Sequence, residues 1–273
     1  MKRVLFLVLV LLAAHASAQV LSPFYLVGVR PEVVSGTRMR FYDGAATAWG
    51  GGGLVQITIA GPHAIGQYLE TDVSTIGLNG RDAGGLEDGH FYFYLLKSET
   101  TGEVSVVASR AIFYSDVVLP PGGPWAMRKL PYGHPYRSQL GGLTPVHVAH
   151  WPQPSITFTD SQYGAAWMAL ANGNGDGAWK IVSLSNWIPD NARLAHLITE
   201  VRDGGLGVAG SCYVRSYGGQ PTGILVGSTS PSAPFSFLSL EIRTNSHREI
   251  EYRCTTGSRL WIQVRGYSMT EPS

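Results

Sequence analysis

The sequence predicts an all-β protein built from two antiparallel β-sandwich modules of jelly-roll-like form. Short runs that alternate apolar and polar residues recur along the chain, as half-buried strands require. Turn-forming residues separate these runs, and the chain contains 34 glycines and 16 prolines. Helical patterns are scarce. Residues 163–171 contain helix-forming types, but Asn172 and Gly173 follow at once, which predicts a turn of helix or an irregular strand.

The first 18 residues have the three parts of a secretory signal peptide. A positive head, Lys2 and Arg3, precedes the apolar residues 4–14 and the small-residue cleavage site at 16–18. An uncleaved amphipathic anchor is the alternative. Export predicts a secreted protein in the extracellular space or at the cell surface, with no membrane insertion after removal of the signal.

The remaining chain carries little charge. Charged residues make up 14% of the sequence, and loss of Lys2 and Arg3 takes the formal net charge from +1 to −1. Nucleic-acid binding relies on a strong positive field, which this balance does not supply. We therefore expect no nucleic-acid partner.

The first module is predicted to span residues 19–154. Residues 54–59 alternate with Ile57 and Ile59 on one face, which indicates a strand. Residues 77–89 contain five glycines and predict an elaborate loop. The aromatic run 91–96 that follows is typical of a strand packed on both faces, and it forms a predicted hairpin with residues 104–109.

The end of this module is predicted to be irregular because prolines interrupt residues 125–154. Aromatic rings in irregular segments offer large contact area at a small entropy cost, which suits the binding of sugars or protein surfaces. The alternative is that these rings cover the base of the sandwich or the seam between modules. The candidate ligand-binding residues are Trp125, Tyr132, His134, Tyr136 and Trp151.

The second module is predicted to span residues 155–273. Five candidate strands are separated by turn residues, at 194–201, 211–217, 235–242, 249–254 and 260–265.

Cys212 and Cys254 fall on inward faces of two of these strands, and an even cysteine pair in an exported chain predicts a disulfide. The loop that it would close has about 43 residues, worth roughly 4 kcal/mol of stability in the chain-entropy model. Two free buried thiols are the alternative.

No pattern predicts catalysis, a metal or a cofactor. The Gly-x-Ser-x-Gly motif of serine hydrolases is absent from the sequence. His147 and His150 could share zinc on a helix, but Pro145 and Pro152 argue against one. Residues 172–177 match the start of a calcium loop but lack its twelfth-position acid. Five acids could supply the carboxylate pair of a glycan hydrolase: Glu70, Asp72, Asp82, Glu87 and Asp88.

The chain resembles modules of bacteriophage tail-fibre and other virion-associated proteins. In them a glycine-rich segment precedes an aromatic strand, a strand ending in serine, a Leu-Pro element and a basic pair. The matching residues are Gly77, Leu78, Gly84, Gly85, Leu86, Tyr92, Tyr94, Ser109, Leu119, Pro120, Arg128 and Lys129. Residues 187–193, 250–252 and 266–267 resemble a C-terminal β module of such proteins.

The resemblance covers residues 24–267 and implies structural and receptor-contact roles, often as homotrimers, with no catalytic residues. Two features depart from it. Residues 130–132 follow the basic pair in place of a glycine and a hydrophobic strand, and fibre proteins normally lack a cleaved signal.

The predicted function is therefore that of a secreted, non-enzymatic structural or adhesive protein that contacts a cell-surface glycan or protein. Two-sided apolar strands with few charges also predict a homo-oligomer, with a trimer among the options. A stand-alone carbohydrate-binding module or lectin is the alternative, and a glycan-processing hydrolase is a third reading.

Overall fold

The computed structural model confirms the all-β class. The described residues form twenty strands and no α-helix, with one 3-10 turn at Tyr114–Asp116. The described residues contain no helix with the length and apolarity needed to cross a membrane. The signal peptide lies outside the described residues, which are 26–42, 44–59, 68–138, 142–143, 146–149, 155–158 and 167–268.

The first ten strands are β1 (Leu26–Val27), β2 (Pro31–Val33), β3 (Arg38–Tyr42), β4 (Gly44–Gly50), β5 (Gly53–Ile59), β6 (Tyr68–Asp72), β7 (Gly89–Ser98), β8 (Val104–Ser109), β9 (Trp125–Arg137) and β10 (Gly142–Leu143). The other ten are β11 (Val146–Ala149), β12 (Ser155–Phe158), β13 (Met168–Asn174), β14 (Lys180–Ser183), β15 (Leu194–Asp203), β16 (Gly210–Ser216), β17 (Ile224–Thr229), β18 (Phe235–Arg243), β19 (Glu249–Cys254) and β20 (Ser258–Ser268).

The strands pair antiparallel in four sheets. A seven-stranded sheet has the order β1-β4-β9-β7-β8, with β5 beside β4 and β10 beside β9, and a three-stranded sheet has the order β2-β3-β6. The later strands form a six-stranded sheet, β11-β12-β20-β15-β18 with β13 beside β20, and a four-stranded sheet, β14-β19-β16-β17. Because β11 pairs with β12, the sheets divide the chain between residues 143 and 146, just before the predicted boundary at 154.

Strand β7 confirms the prediction of a strand packed on both faces. Its residues 91–96 are all buried, and successive side chains enter two different clusters. Phe91 and Phe93 join the main core, while Tyr92 and Tyr94 lie in a smaller cluster with Val107 and Val117. The predicted hairpin with β8 is present, paired from Tyr92–Ser109 to Lys97–Val104.

Strand β9 corrects the prediction that residues 125–154 are irregular. Residues 125–137 form a strand between β4 and β7, despite Pro131 and Pro135. The ladder is interrupted at Pro131, because Tyr92 pairs with Gly133, Tyr94 pairs with Lys129, and the intervening β9 residues bulge, whereas Pro135 stays in register opposite His90. The bulge keeps Pro131 out of the regular pairing that its missing N–H would disrupt.

Contacts join the two halves of the chain. The Asp190 backbone N–H donates to the hydroxyl of Tyr92 at 3.3 Å, and the hydroxyl of Tyr267 donates to the backbone carbonyl of Gly133. The main buried cluster also contains residues from both halves. The sheets are thus segregated along the sequence while the core is continuous.

The predicted disulfide is present. Cys212 on β16 and Cys254 on β19 are bonded to each other, and the two residues are direct partners in the β16–β19 ladder. Both are almost fully buried. The bond therefore ties together the two central strands of the four-stranded sheet.

The glycine-rich loop, residues 73–88, lies along the free side of β8. The Asn79 N–H donates to the carbonyl of Val106 at 2.9 Å, and the Ala108 N–H donates to the carbonyl of Gly80 at 2.8 Å. The Arg81 guanidinium holds the loop together by donating to the carbonyls of Val73, Ser74 and Gly84. The loop thus satisfies edge groups of β8 that would otherwise be open to another strand.

Candidate functional site

The outward face of the six-stranded sheet presents side chains from β15, β18 and β20, which are neighbouring strands. Side chains alternate along β15 and β20, so Ala195, Leu197 and Val201 point into the core. The residues between them face outward and are partly exposed. β18 continues this outward face at the end of the sheet.

An aromatic face, defined here as Glu200, Arg202, Phe235, Phe237 and Trp261, lies at one end of this surface. The ladders place Glu200 opposite both Phe237 on β18 and Trp261 on β20. Arg202 is likewise opposite Phe235. Directly opposed residues on one sheet face lie within contact distance, so three strands contribute to one cluster.

The two phenylalanines are the exposed part of this cluster. Phe235 is 59% and Phe237 61% exposed, and their ring centroids are 5.8 Å apart at an angle of 64°. They border a depression of about 460 Å³, whose lining residues are Glu200, Arg202, Asp203, Pro234, Phe235 and Phe237. Apolar rings and charged groups thus meet around a single concave area.

The charged pair in the cluster is fixed in place. The Arg202 Nε and Nη2 atoms donate to the two carboxylate oxygens of Glu200 at 2.5 and 2.9 Å. The guanidinium carbon lies 4.7 Å from the centroid of the Trp261 ring, within cation–π range. The hydrogen bond to Glu200 raises the pKa of Arg202 above its usual value, so the guanidinium stays charged.

This arrangement places exposed rings beside a charged pair. Arg202 covers one side of the Trp261 ring, which leaves Phe235 and Phe237 as the rings open to a ligand. Sugar faces and apolar protein side chains both pack well on such rings, and a preformed ion pair can hydrogen-bond to hydroxyl groups beside them. Glu200 is engaged by two donors from Arg202.

Trp125, one of the predicted ligand-binding residues, begins β9 and is half-buried. Its ring packs against the smaller cluster that contains Tyr92 and Tyr94, and its Nε1 donates to the carbonyl of Pro120 at 3.1 Å. Both the ring and its polar atom therefore have partners within the protein.

His134 and Tyr136, two more of the predicted ligand-binding residues, are buried. His134 is 1% exposed and its ring meets Phe93 edge-to-face, with centroids 5.8 Å apart. Tyr136 is 8% exposed and meets Phe91 in the same manner at 5.9 Å. Burial lowers the pKa of His134 to about 3, which keeps the imidazole neutral.

The strand register also separates these residues. Trp125 pairs with Ser98 at one end of β7, while Tyr136 pairs with Gly89 at the other. Nine residues of strand span about 30 Å, so the two rings do not form one surface. Tyr132 lies in β9, but its side chain is outside the described part, as is all of Trp151.

Several acids considered for a hydrolase have structural partners. Asp72 pairs with Arg38 and Glu70 with Arg40. One carboxylate oxygen of Asp82 accepts from the Ser109 hydroxyl and from the Val118 N–H.

The considered metal motifs have no supporting geometry in the described residues. Asp176, from the calcium-like run, forms an ion pair with Lys180 at 2.8 Å. The side chain of His147 and all of His150 are outside the described part. Within that part, no group of three or more potential ligand side chains is placed to hold a metal ion.

The aromatic face was missed as a site, although the sequence carries a signal for it. Trp261 alternates with Leu260 and Ile262, which places it on the outward side of its strand. Phe235 and Phe237 are two residues apart, so one strand presents both rings on one face. Two rings on one face of a predicted strand were therefore the available signal.

Comparison with models of known protein families finds no match, and comparison with curated proteins finds no similar sequence.

Proposed function

We propose that this chain is an exported, non-enzymatic structural or adhesive protein that contacts a cell-surface glycan or protein through its aromatic face. The proposal combines the secretory signal and the resemblance to tail-fibre modules with the surface described above. The carrying observation is the exposure of Phe235 and Phe237 beside the fixed Glu200–Arg202 pair.

The nature of the face supports a contact role. A stiff sheet presents the rings without ordering a loop, so binding costs little conformational entropy. Large rings next to an arginine are also the residue types that dominate binding energy at protein surfaces. The disulfide between Cys212 and Cys254 is consistent with an oxidising compartment.

Binding to a glycan array and to intact cells tests this function. The double variant Phe235→Ala/Phe237→Ala should weaken binding about tenfold or more, because stacking of rings contributes on the order of 1 kcal/mol each. Phe113→Ala is the matched control, since Phe113 is 67% exposed but lies in the first half of the chain. Equal binding by the wild type and the double variant would reject the aromatic face as the contact site.

A lectin or carbohydrate-binding module that acts alone is the second candidate. The presence of the Glu200–Arg202 pair at the edge of the depression favours it, because hydroxyl-rich ligands need both donors and acceptors. Glycan binding with an affinity that does not change with protein concentration would favour this reading. Binding to cells but to no glycan would favour a protein receptor.

A further inference from the structure

Among the described strands, β18 forms one edge of the six-stranded sheet and β11 forms the other. Strand β18 is last in the order β11-β12-β20-β15-β18 among the described strands, and it has nine residues. It is the longest strand that ends any sheet in the described part of the chain. All nine residues pair with β15 without a bulge.

The direction of the β18 backbone groups follows from two hydrogen bonds at its ends. The Asp203 N–H donates to the carbonyl of Pro234, and the Thr244 N–H donates to the carbonyl of Arg193. Opposed residues alternate between hydrogen-bonded and non-bonded pairs in an antiparallel ladder, so the even-numbered residues of β18 bond to β15. The odd-numbered residues therefore aim their N–H and C=O groups at the open edge, and these are Phe235, Phe237, Ser239, Glu241 and Arg243.

Within the residues that the structure describes, the usual protections of an edge strand are missing from most of β18. Proteins keep such edges from pairing with lysines, prolines, bulges, short strands or a covering loop. Residues 235–240 contain no charge and no proline, and the only charged residues of the strand are Glu241 and Arg243 near its end. Leu238 on β18 and Leu225 on the neighbouring β17 add exposed apolar surface at the same edge.

We propose that β18 pairs antiparallel with β18 of a second copy of this chain, joining two six-stranded sheets into one. A two-fold axis at Ser239 uses the full length of both strands and brings odd residues opposite odd residues. Phe235 then faces Arg243 of the second copy as a cation–π pair, Phe237 faces Glu241, and Ser239 faces Ser239 of the second copy. The two ends of the strand are thus complementary to each other, which selects a second copy as the occupant.

Phe235 belongs both to the aromatic face and to this pairing, but Ser239, where the pairing is tested, lies outside the aromatic face. The two-fold axis runs perpendicular to the sheet, so both aromatic faces lie on the same side of the joined sheet. The test of the pairing is the mass of the protein in solution, and that measurement involves no glycan.

Light scattering coupled to gel filtration, on the mature chain across the micromolar range, is the first measurement. The wild type should have twice the monomer mass. Ser239→Lys should weaken the dimer about tenfold or more, because it places like charges directly opposite each other at the axis. Ser115→Lys is the control, since Ser115 is exposed in the 3-10 turn of the other half.

A cysteine variant tests the register. Residues opposed in a hydrogen-bonded pair have Cα atoms about 5.5 Å apart, within the range that a disulfide spans. Ser239→Cys should therefore form a covalent dimer under oxidation, while Ser115→Cys should not. The far-UV circular dichroism spectrum of Ser239→Lys should match that of the wild type and so show that the variant folds, since the Ser239 side chain is exposed.

Three results would overturn the proposal. They are a wild-type monomer across the whole concentration range, a dimer that Ser239→Lys leaves intact, and a trimer. A wild type that dimerises but binds neither glycans nor intact cells would instead reject only the proposed contact function.

Discussion

The seven-stranded sheet ends at β8 beneath a hydrogen-bonded loop, whereas the six-stranded sheet ends at β18, whose edge no described residue covers. Covering β8 takes residues 73–88, held by backbone bonds and by three donations from Arg81. The same molecule leaves a longer strand open elsewhere. A covered edge and an open edge in the same molecule indicate that the two edges serve different purposes.

The largest predicted loss of stability follows from removing the disulfide between Cys212 and Cys254. Replacing Cys212 and Cys254 by alanine should cost about 4 kcal/mol, because their bond closes a long loop in the unfolded chain. Chemical denaturation measures the loss, and hydrogen exchange should rise in β16, β17, β18 and β19 but not in β8. The wild type in reducing agent should reproduce the variant. Unchanged hydrogen exchange in β17 and β18 would show that the stability of the open edge does not depend on the disulfide.

An intermediate loss of stability is expected from a substitution at Gly80, in the loop that covers β8. A Cβ at Gly80 would lie 2.6 Å from the Oγ1 and 2.7 Å from the carbonyl oxygen of Thr75. Gly80→Ala should therefore lift the loop and cost about 1 to 3 kcal/mol, measured by urea unfolding. Gly85→Ala is the matched control, because its Cβ would meet nothing closer than 3.8 Å. Equal stability of the two variants would show that the loop tolerates the displacement.

The smallest effect is a pH dependence of stability that arises from Asp72, just before the loop. Burial alone would raise the pKa of Asp72, but hydrogen bonds from Ser74 and Arg38 outweigh it and lower the pKa from 3.8 to about 2. As the pH falls, the unfolded carboxyl binds its proton first. The contribution is therefore full above about pH 5 and is lost towards about pH 2, and we expect about 1 to 2 kcal/mol.

Urea unfolding of the wild type and Asp72→Asn near pH 6 and near pH 3 measures this term. The stability difference between them should shrink at the lower pH. Glu103→Gln, an exposed change in the turn between β7 and β8, is the control. A difference that stays constant with pH would contradict the role of the Asp72 carboxylate.

Much of the sheet structure could be predicted, because half-buried strands alternate in sequence. The pattern of Ile57 and Ile59, the buried run in β7 and the facing cysteines all depend on local period. β9 could not be predicted as a strand, because proline is a local signal whereas the bulge that accommodates Pro131 depends on the partner strand β7. His134 was consequently predicted to lie in an irregular segment, although neighbouring strands bury it.

The aromatic face could be predicted only in part, for a related reason. Trp261 alternates clearly with core residues, whereas β18 is apolar on both sides: Phe235 and Phe237 lie on one, Leu238 and Leu240 on the other. Which side faces inward is decided by β15 and β17, which lie far away in sequence. A strand with two apolar faces leaves that decision to tertiary structure.

The contact between halves at Gly133 has an evolutionary consequence. A Cβ there would lie 2.9 Å from the ring of Tyr92 and 3.0 Å from Pro189, and its carbonyl accepts from Tyr267 on the last strand. Recombination that exchanged one half for an unrelated one would remove both the fit and the donor. We therefore expect the two halves to be inherited together, as a single unit of selection, even though each builds its own sheets.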